Sequence, residues 1–341
     1  MNLLVTANHA PFLQGGAEAH LAGLLAALRA RGHQVEALRL PFTFDPPAAI
    51  ERLMAFTAGL DLTAPNGQRI DRLISLQFPG YGITHPHHVV WLMHQHRAVY
   101  ELYPADPPPE LQRLRTAIHA YDTAALARAH ARFANSRRVA ERLRHYNGLD
   151  AEPLYHPPPG AEHFYTAPAE AYLYAPSRLE RLKRQDLLIE AMRHVRSPIA
   201  LLLSGDGGQA DTYRRLIERH GLQHRVRLLG RIDERLKRTL YAHALAVAFV
   251  PFDEDLGYVT LEAMLAAKPV LTCTDSGGPL EFVRHEDTGF ICPPEPTLLA
   301  ERIDWLYAHR PQAAAMGRAG RAHWETLGIS WTRVIDRLLS V

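Results

Sequence analysis

Cysteine is almost missing from this chain: there are two in 341 residues, Cys273 and Cys292, both inside apolar stretches that read as strands. Two such thiols cannot form the disulfide framework of a small secreted domain, and a reducing compartment is expected. Long hydrophobic runs are missing as well. No apolar stretch approaches the ~20 residues that span a bilayer. Met1 runs straight into the strand-like Asn2–Ala7, with neither a basic leader nor a cleavage site, so no signal peptide is expected. The expectation is a soluble, cytoplasmic protein. A dominant charge is the third absence, since 38 Lys and Arg against 36 Asp and Glu leave a formal charge of +2. That balance argues against a general nucleic-acid binder and its basic stripe. Arginine-rich stretches at Arg128–Arg144 and Arg318–Arg337 raise peripheral membrane contact only weakly; a solvated helix face is the favoured reading and such contact is not indicated. Short repeats and low-complexity segments are also lacking.

What is present is a regular alternation. Short apolar runs read as strands at Leu3–Ala7, Val35–Leu40, Leu73–Gln77, Val89–Met93 and Arg132–Ala134 in the first half. In the second half they lie at Leu173–Ala175, Ile199–Leu203, Val226–Leu229, Ala246–Val250, Val270–Cys273 and Phe290–Cys292. Apolar runs without strict alternation suit strands buried on both faces, as in parallel sheets. Amphipathic helices separate them, among them Ala17–Arg31, Gln185–Val195, Tyr213–His220 and Leu256–Ala266. The pattern predicts an α/β chain of two doubly wound domains. The break is placed at His156-Pro-Pro-Pro-Gly160 and the stretch after it, because consecutive prolines continue neither strand nor helix. The expected domains are 1–165 and 166–329, with a closing amphipathic helix at 330–341 that packs back on the first. Ligands of such folds bind beyond the carboxyl ends of the strands.

The richest segment is Pro251-Phe-Asp-Glu254-Asp-Leu-Gly257-Tyr-Val-Thr-Leu-Glu262. A strand ends, an acidic loop follows, and a helix begins near Leu256 with Gly257 in its first turn. Amides at a helix start welcome a phosphate. Two acceptor carboxylates flanking such donors suit a ligand with hydroxyls at both ends and an anion between them, as in a sugar nucleotide. The alternative makes Glu254 a helix-capping carboxylate and Glu262 a solvated helix residue. A second alternative reads Asp253-Glu-Asp255 as a metal-binding Asp-x-Asp. Upstream, Arg178 and Lys183, five residues apart and opening a helix, could clamp a diphosphate and stabilise a departing one without a metal. A basic surface patch with Arg181 and Arg184 is the competing reading.

Gly205-Asp-Gly-Gly-Gln-Ala210 fits the Gly-x-Gly-x-x-Ala dinucleotide fingerprint. It does not follow the first strand of its domain, and no acidic residue closes the next strand, so a dehydrogenase is disfavoured. Gly15-Gly16 before the first helix is either a flexible turn or a source of unhindered amides. His85, His87, His88, His94 and His96 crowd into twelve residues. No carboxylate or thiolate accompanies them at ligand spacing, so no metal site is expected. His94 follows its strand directly and is expected at the ligand side, with His96 the runner-up.

Taken together, these motifs resemble those of retaining glycosyltransferases of the GT-B fold, family four (glycosyl transferases group 1). Glu254 and Glu262 match its Glu-x7-Glu spacing, and Ser177-Arg178-Leu…Lys183 is similar to its Gly-Arg-Leu…Lys. Ala267-Lys-Pro-Val, Gly277-Gly278-Pro-Leu-Glu281 and Asn135-Ser136 also look like the family pattern. The resemblance implies two Rossmann-like domains facing across a cleft. It implies transfer of a sugar from a nucleoside diphosphate (UDP- or GDP-linked) to an acceptor hydroxyl, with retention and without metal or other cofactor. In that reading Arg178 and Lys183 stabilise the diphosphate, and Glu254 and His94 position the sugar. Glu262 holds the ribose, and the amides of Leu256, Gly257, Tyr258 and Val259 meet sugar and phosphate oxygens. Gly16 and Gly205 lie near the donor, and Arg231 walls the base. The acceptor is a carbohydrate, lipid-linked or small molecule. Two departures are visible: Asp255 stands where a small residue is usual, and Ser177 where Gly is. A sugar-nucleotide epimerase or an inactive nucleotide-sugar-binding module would share many of these features.

Overall fold

The computed structural model describes residues 1–12 and 15–341. The chain divides into two compact units, one of Met1–His156 with Ser330–Val341 and one of Pro157–Ile329.

The N-terminal unit runs β1 (Asn2–His9), α1 (Gly16–Ala30), β2 (Gln34–Pro41), α2 (Pro47–Ala58), β3 (Arg72–Ser75), β4 (His88–Leu92), α3 (Pro109–Arg128), β5 (Ala131–Ala134), α4 (Arg137–Asn147) and β6 (Glu152–Pro153). Its six strands form one sheet in the order β2-β1-β3-β4-β5-β6, parallel throughout. Strand β6 has only two residues and ends in proline, which explains why no apolar run announces it. Local chemistry punctuates the helices. Ser136 Oγ accepts from Val139 N–H at 3.1 Å to start α4, and Gly148 closes it at φ 64°.

In the C-terminal unit come β7 (Tyr172–Pro176), α5 (Gln185–Ala191), β8 (Ala200–Ser204), α6 (Ala210–Arg219), β9 (Val226–Gly230), α7 (Glu234–His243), β10 (Ala246–Ala248), α8 (Tyr258–Leu265), β11 (Val270–Cys273), β12 (Gly289–Cys292), α9 (Pro296–Ala308) and α10 (Arg310–Leu327). Its sheet has the order β12-β11-β10-β7-β8-β9 and is again parallel. Helices cover both faces and leave two apolar layers, one around Leu201, Ile189 and Ile303, the other around Tyr174, Val247 and Ala263.

The last helix, α11 (Trp331–Leu339), belongs to the N-terminal unit. Val334, Ile335 and Leu338 join Leu21, Leu24 and Val89 in one apolar cluster, each fully buried aliphatic side chain contributing roughly 1.5–3 kcal/mol. The Trp331 ring lies against Gly23 so closely that a Cβ there would sit 2.2 Å from it. No helix among the described residues is long and apolar enough to cross a membrane.

Candidate functional site

Strand order locates the site in the C-terminal unit. From β7 the chain builds outward to β8 and β9, then returns to lay β10, β11 and β12 on the other side of β7. The loops leaving β7 and β10 therefore diverge from adjacent strands, which opens a crevice at the sheet's carboxyl edge. A shallow depression there is lined by Ser177, Lys183, Gln185 and Phe249, among others.

Those two loops carry the expected cation and the first expected carboxylate. Lys183 Nζ donates to Glu254 Oε2, with each side chain only 16% exposed. Lys183 does not open a helix as anticipated. It ends a short 3₁₀ turn, Arg181–Lys183, and the left-handed φ of 51° at Arg184 separates that turn from α5. Arg184 is not part of a loose basic patch either. Its guanidinium grips Asp275 through both carboxylate oxygens at 2.7 and 2.8 Å, and also donates to the carbonyls of Val250 and Pro251. These carbonyls turn to Arg184, and regular β10 pairing ends at Ala248 rather than Val250. Phe252 N–H donates to Leu182 O at 2.7 Å. The Lys183 loop and the Glu254 loop are thus held together by one ion pair, two Arg184–carbonyl bonds and a main-chain bond, and the Arg184 clamp ties both to the Asp275 loop after β11.

Helix α8 begins at Tyr258, two residues later than expected. Gly257 is its N-cap at φ 81° and ψ 76°, a left-handed conformation that keeps it out of the helix, and as a glycine it supplies no side-chain cap. A Cβ on Gly257 would also come within 2.8 Å of the Phe249 ring. The Glu254 loop is backed by Gly277 and Gly278, where a Cβ would meet the Glu254 carbonyl at 2.5 Å and the Asp255 carbonyl at 2.7 Å. Leu256 is buried, while Tyr258 and Val259 are half-buried at the helix start.

Glu262 is not a solvated helix residue: it is 5% exposed. Tyr241 Oη donates to its Oε2 at 2.6 Å, and Lys237 Nζ donates to its Oε1 at 3.1 Å. Lys237 also meets Glu234 at 2.9 Å. Burial lowers the Lys237 pKa, but Glu262 and Glu234 outweigh it and the net shift is upward. Burial and then Glu262 drive the Tyr241 hydroxyl well above its usual range. Sequence reading missed Lys237, Tyr241 and Arg184. The first two sit on α7, which carries none of the motifs singled out in the sequence, and Asp275 is 91 residues from Arg184.

The glycine-rich turn has a structural cause. A Cβ on Gly205 would lie 1.9 Å from the Ser177 carbonyl, and one on Gly207 would lie 2.5 Å from that of Leu179. Leu179 N–H donates to Asp206 O at 3.0 Å, and Gln209 N–H to Leu179 O at 2.9 Å. The turn is packed against the β7 loop and supports it. Arg178 is exposed, with only its carbonyl engaged, by Gln185 Nε2 at 3.0 Å. Arg231 faces Asp206 at 3.7 Å on the surface. Among the described residues no group of three or more His, Cys, Asp or Glu is placed to hold a metal ion.

In the N-terminal unit Gly16 is the first residue of α1, whose cap, Gly15, supplies no side-chain acceptor. His94 lies two residues beyond β4, half-buried, with Nδ1 2.7 Å from Gln95 O. His96 is the more enclosed: its ring lies 5.5 Å from Phe78 and 6.1 Å from Phe42. Burial, then His94, brings its pKa down to about 4. His85 and His88 are occupied locally, by Ile70 O at 3.1 Å and Ser75 Oγ at 2.8 Å.

Residues 166–323 match the family described as glycosyl transferases group 1. The chain carries a glycosyl transferases group 1 domain. Curated relatives of the chain include alpha-1,3/1,6-mannosyltransferase ALG2 of Mus musculus, 36% identical over 110 residues that cover 32% of this chain and 26% of that protein. Another is the GDP-mannose-dependent alpha-(1-6)-phosphatidylinositol monomannoside mannosyltransferase of Mycobacterium tuberculosis, 33% identical over 177 residues, 48% of this chain and 44% of that protein. The chain thus spans less than half the length of these relatives. Among solved structures, HepE of Anabaena in complex with UDP-glucose is similar at TM-score 0.77 and 20% identity, covering 100% of this chain and 98% of that one. Sucrose-phosphate synthase of Thermosynechococcus elongatus is similar at TM-score 0.78 and 19% identity, covering 99% and 97%. The group 1 domain is therefore the second of two Rossmann-like units in a GT-B fold.

Proposed function

We propose that this protein is a retaining hexosyltransferase, acting in the cytoplasm, that moves a sugar from a UDP- or GDP-linked donor to an acceptor hydroxyl without a metal ion. The observation that carries the reading is the meeting of Lys183 and Glu254 at the topological break of the C-terminal sheet, one turn of chain from the start of α8 at Gly257. A cation and a helix N-terminus suit a diphosphate. Glu254 suits sugar hydroxyls, and the buried Glu262 suits a ribose. Similar proteins add support for both bases, since one mannosyltransferase is GDP-mannose-dependent and HepE is solved with UDP-glucose.

In this mechanism Lys183 and Arg178 neutralise the charge that builds on the diphosphate as the glycosidic bond breaks, which is the term that most lowers the barrier. Glu254 and His94 orient the sugar. The departing phosphate takes the acceptor proton on the same face, so configuration is kept without a protein nucleophile. The N-terminal unit holds the acceptor, of carbohydrate, lipid-linked or small-molecule type.

The test begins with thermal melting in UDP and GDP. Stabilisation by one of them, weakened in Lys183→Ala and Glu262→Ala, is expected; unchanged melting with every nucleoside diphosphate would overturn the donor site. A nucleotide-sugar panel read by mass spectrometry then identifies the donor. Conversion of the free donor with no acceptor would replace transfer with epimerisation. EDTA is expected to leave transfer intact, and loss rescued only by a divalent cation would remove the metal-independent reading.

A further inference from the structure

Glu262 is held by two donors that come from a different helix. Lys237 and Tyr241 stand one helical turn apart on α7 and reach α8 together, at 3.1 and 2.6 Å, one to each carboxylate oxygen. A carboxylate offers about four lone-pair positions. Two are used here, one on each oxygen, and the two left over match a pair of neighbouring hydroxyls.

Stability alone does not account for the lysine. A buried ion pair is generally no more stabilising than apolar side chains of similar volume, and Lys237 is only 19% exposed beside the Phe164 ring. What the ammonium supplies that an apolar group would not is a fixed orientation and a charge that keeps Glu262 an acceptor. The other titratable groups facing Glu262 are hydroxyls: Tyr241 on α7, Tyr258 on its own helix and Tyr174 on β7. Glu234, also held by Lys237, is the one further carboxylate in the group. Lys237 is thus the cation that these contacts provide for a buried acid.

We propose that Lys237 is a positioning residue for the nucleotide: with Tyr241 it pins Glu262 as a fixed double acceptor for the two ribose hydroxyls. The inference rests on the donor-site reading given above. Its test compares UDP and GDP with their 2′-deoxy counterparts, by calorimetric titration against the full chain from about pH 5.5 to 8.5. The readout is the ratio of ribo- to deoxy-nucleotide affinity, which cancels titration of the phosphates.

In the wild type the ratio should favour the ribonucleotide and vary little with pH. Lys237→Met should lower ribonucleotide affinity on the order of tenfold, the size of one charged hydrogen bond, while scarcely affecting the deoxynucleotide. Lys237→Arg should restore the ratio. Should the Met variant not fold, Tyr241→Phe decides, with a smaller loss confined to the ribonucleotide.

An equal loss for both nucleotides, or a ratio that Lys237→Arg does not restore, would overturn the positioning role. Wild-type protein that binds ribo- and deoxynucleotides equally would overturn it while leaving the donor site standing. Wild-type protein that binds no nucleoside diphosphate would remove both.

Discussion

In the N-terminal unit the break in strand order lies between β1 and β3, and Asn8, Gln77 and Phe78 stand beyond it. In the C-terminal unit it lies between β7 and β10, beyond which stand Lys183 and Glu254. Both breaks open a crevice by the same geometry, but their chemistry differs. The first is bordered by neutral amides and by the Phe42, Phe78 and His96 rings, and its own ion pair, Arg39–Glu18, is 30% and 36% exposed. The second has a more enclosed ion pair, an arginine clamp and a helix start with glycine as its N-cap. One topology recurs in both units, and among the described residues the side chains at its loops make the second crevice the more charged.

The widest separation should come from breaking each ion pair. Lys183→Ala is expected to lower kcat/KM for sugar transfer about 10³-fold, as for removal of one donor to a developing oxyanion. Arg39→Ala should stay within about tenfold, the scale of an exposed pair. Equal losses would end the assignment of the charged chemistry to the C-terminal break.

The next contrast is in pH. Asp122 lies buried on α3, accepting from Tyr100 Oη at 2.7 Å, and burial raises its pKa to about 7. The folded unit keeps the proton that the unfolded chain releases near pH 4, so stability is lost as pH rises from about 4 to 7. Relative to wild type, Asp122→Asn should therefore gain up to roughly 4 kcal/mol across that interval, read by urea melts followed through Trp91. Lys268 in the other unit behaves oppositely. Burial brings it down to about 8 while it donates to Ala167 O, so stability there rises with pH above 8. An Asp122→Asn melt that keeps the wild-type pH slope would refute this account.

Glycines give a smaller contrast. Gly205→Ala places a methyl 1.9 Å from a carbonyl at φ 133° and should cost about 3 kcal/mol. Gly148→Ala, at φ 64° with nothing within 4 Å, should cost about 1 kcal/mol. Comparable melting shifts would mean that the β7 loop is not held as described. The smallest effect is expected of the cysteines. Burial pushes the Cys273 thiol up to about 12 and that of Cys292 up to about 11, so neither should react with a maleimide until denaturant is added.

Most of the fold was readable in the chain because its strands are buried on both faces and therefore spell continuous apolar runs. Strand β6 escaped for the opposite reason. Lys183, Glu254 and Glu262 were found because residue type and order matched a known motif. Their surroundings were not, since they depend on contacts between distant segments. Nothing near Arg184 points to Asp275, and nothing near Glu262 says that Lys237 will reach it. The late start of α8 and the role of Gly205 were hidden for a related reason. A glycine permits a left-handed turn or a close approach, and only the partner shows which of them is used.

The return of α11 to the N-terminal unit sets an order of assembly. Trp331, Val334, Ile335 and Leu338 complete a core whose other members are made before residue 160. On a ribosome adding about 5–20 residues per second, the 173 residues of Pro157–Ile329 delay that helix by roughly 10–35 s. The half of the protein that is synthesised first is the half that finishes folding last. Until then the part of α1 that α11 covers, around Gly23, has only the sheet side of its core in place.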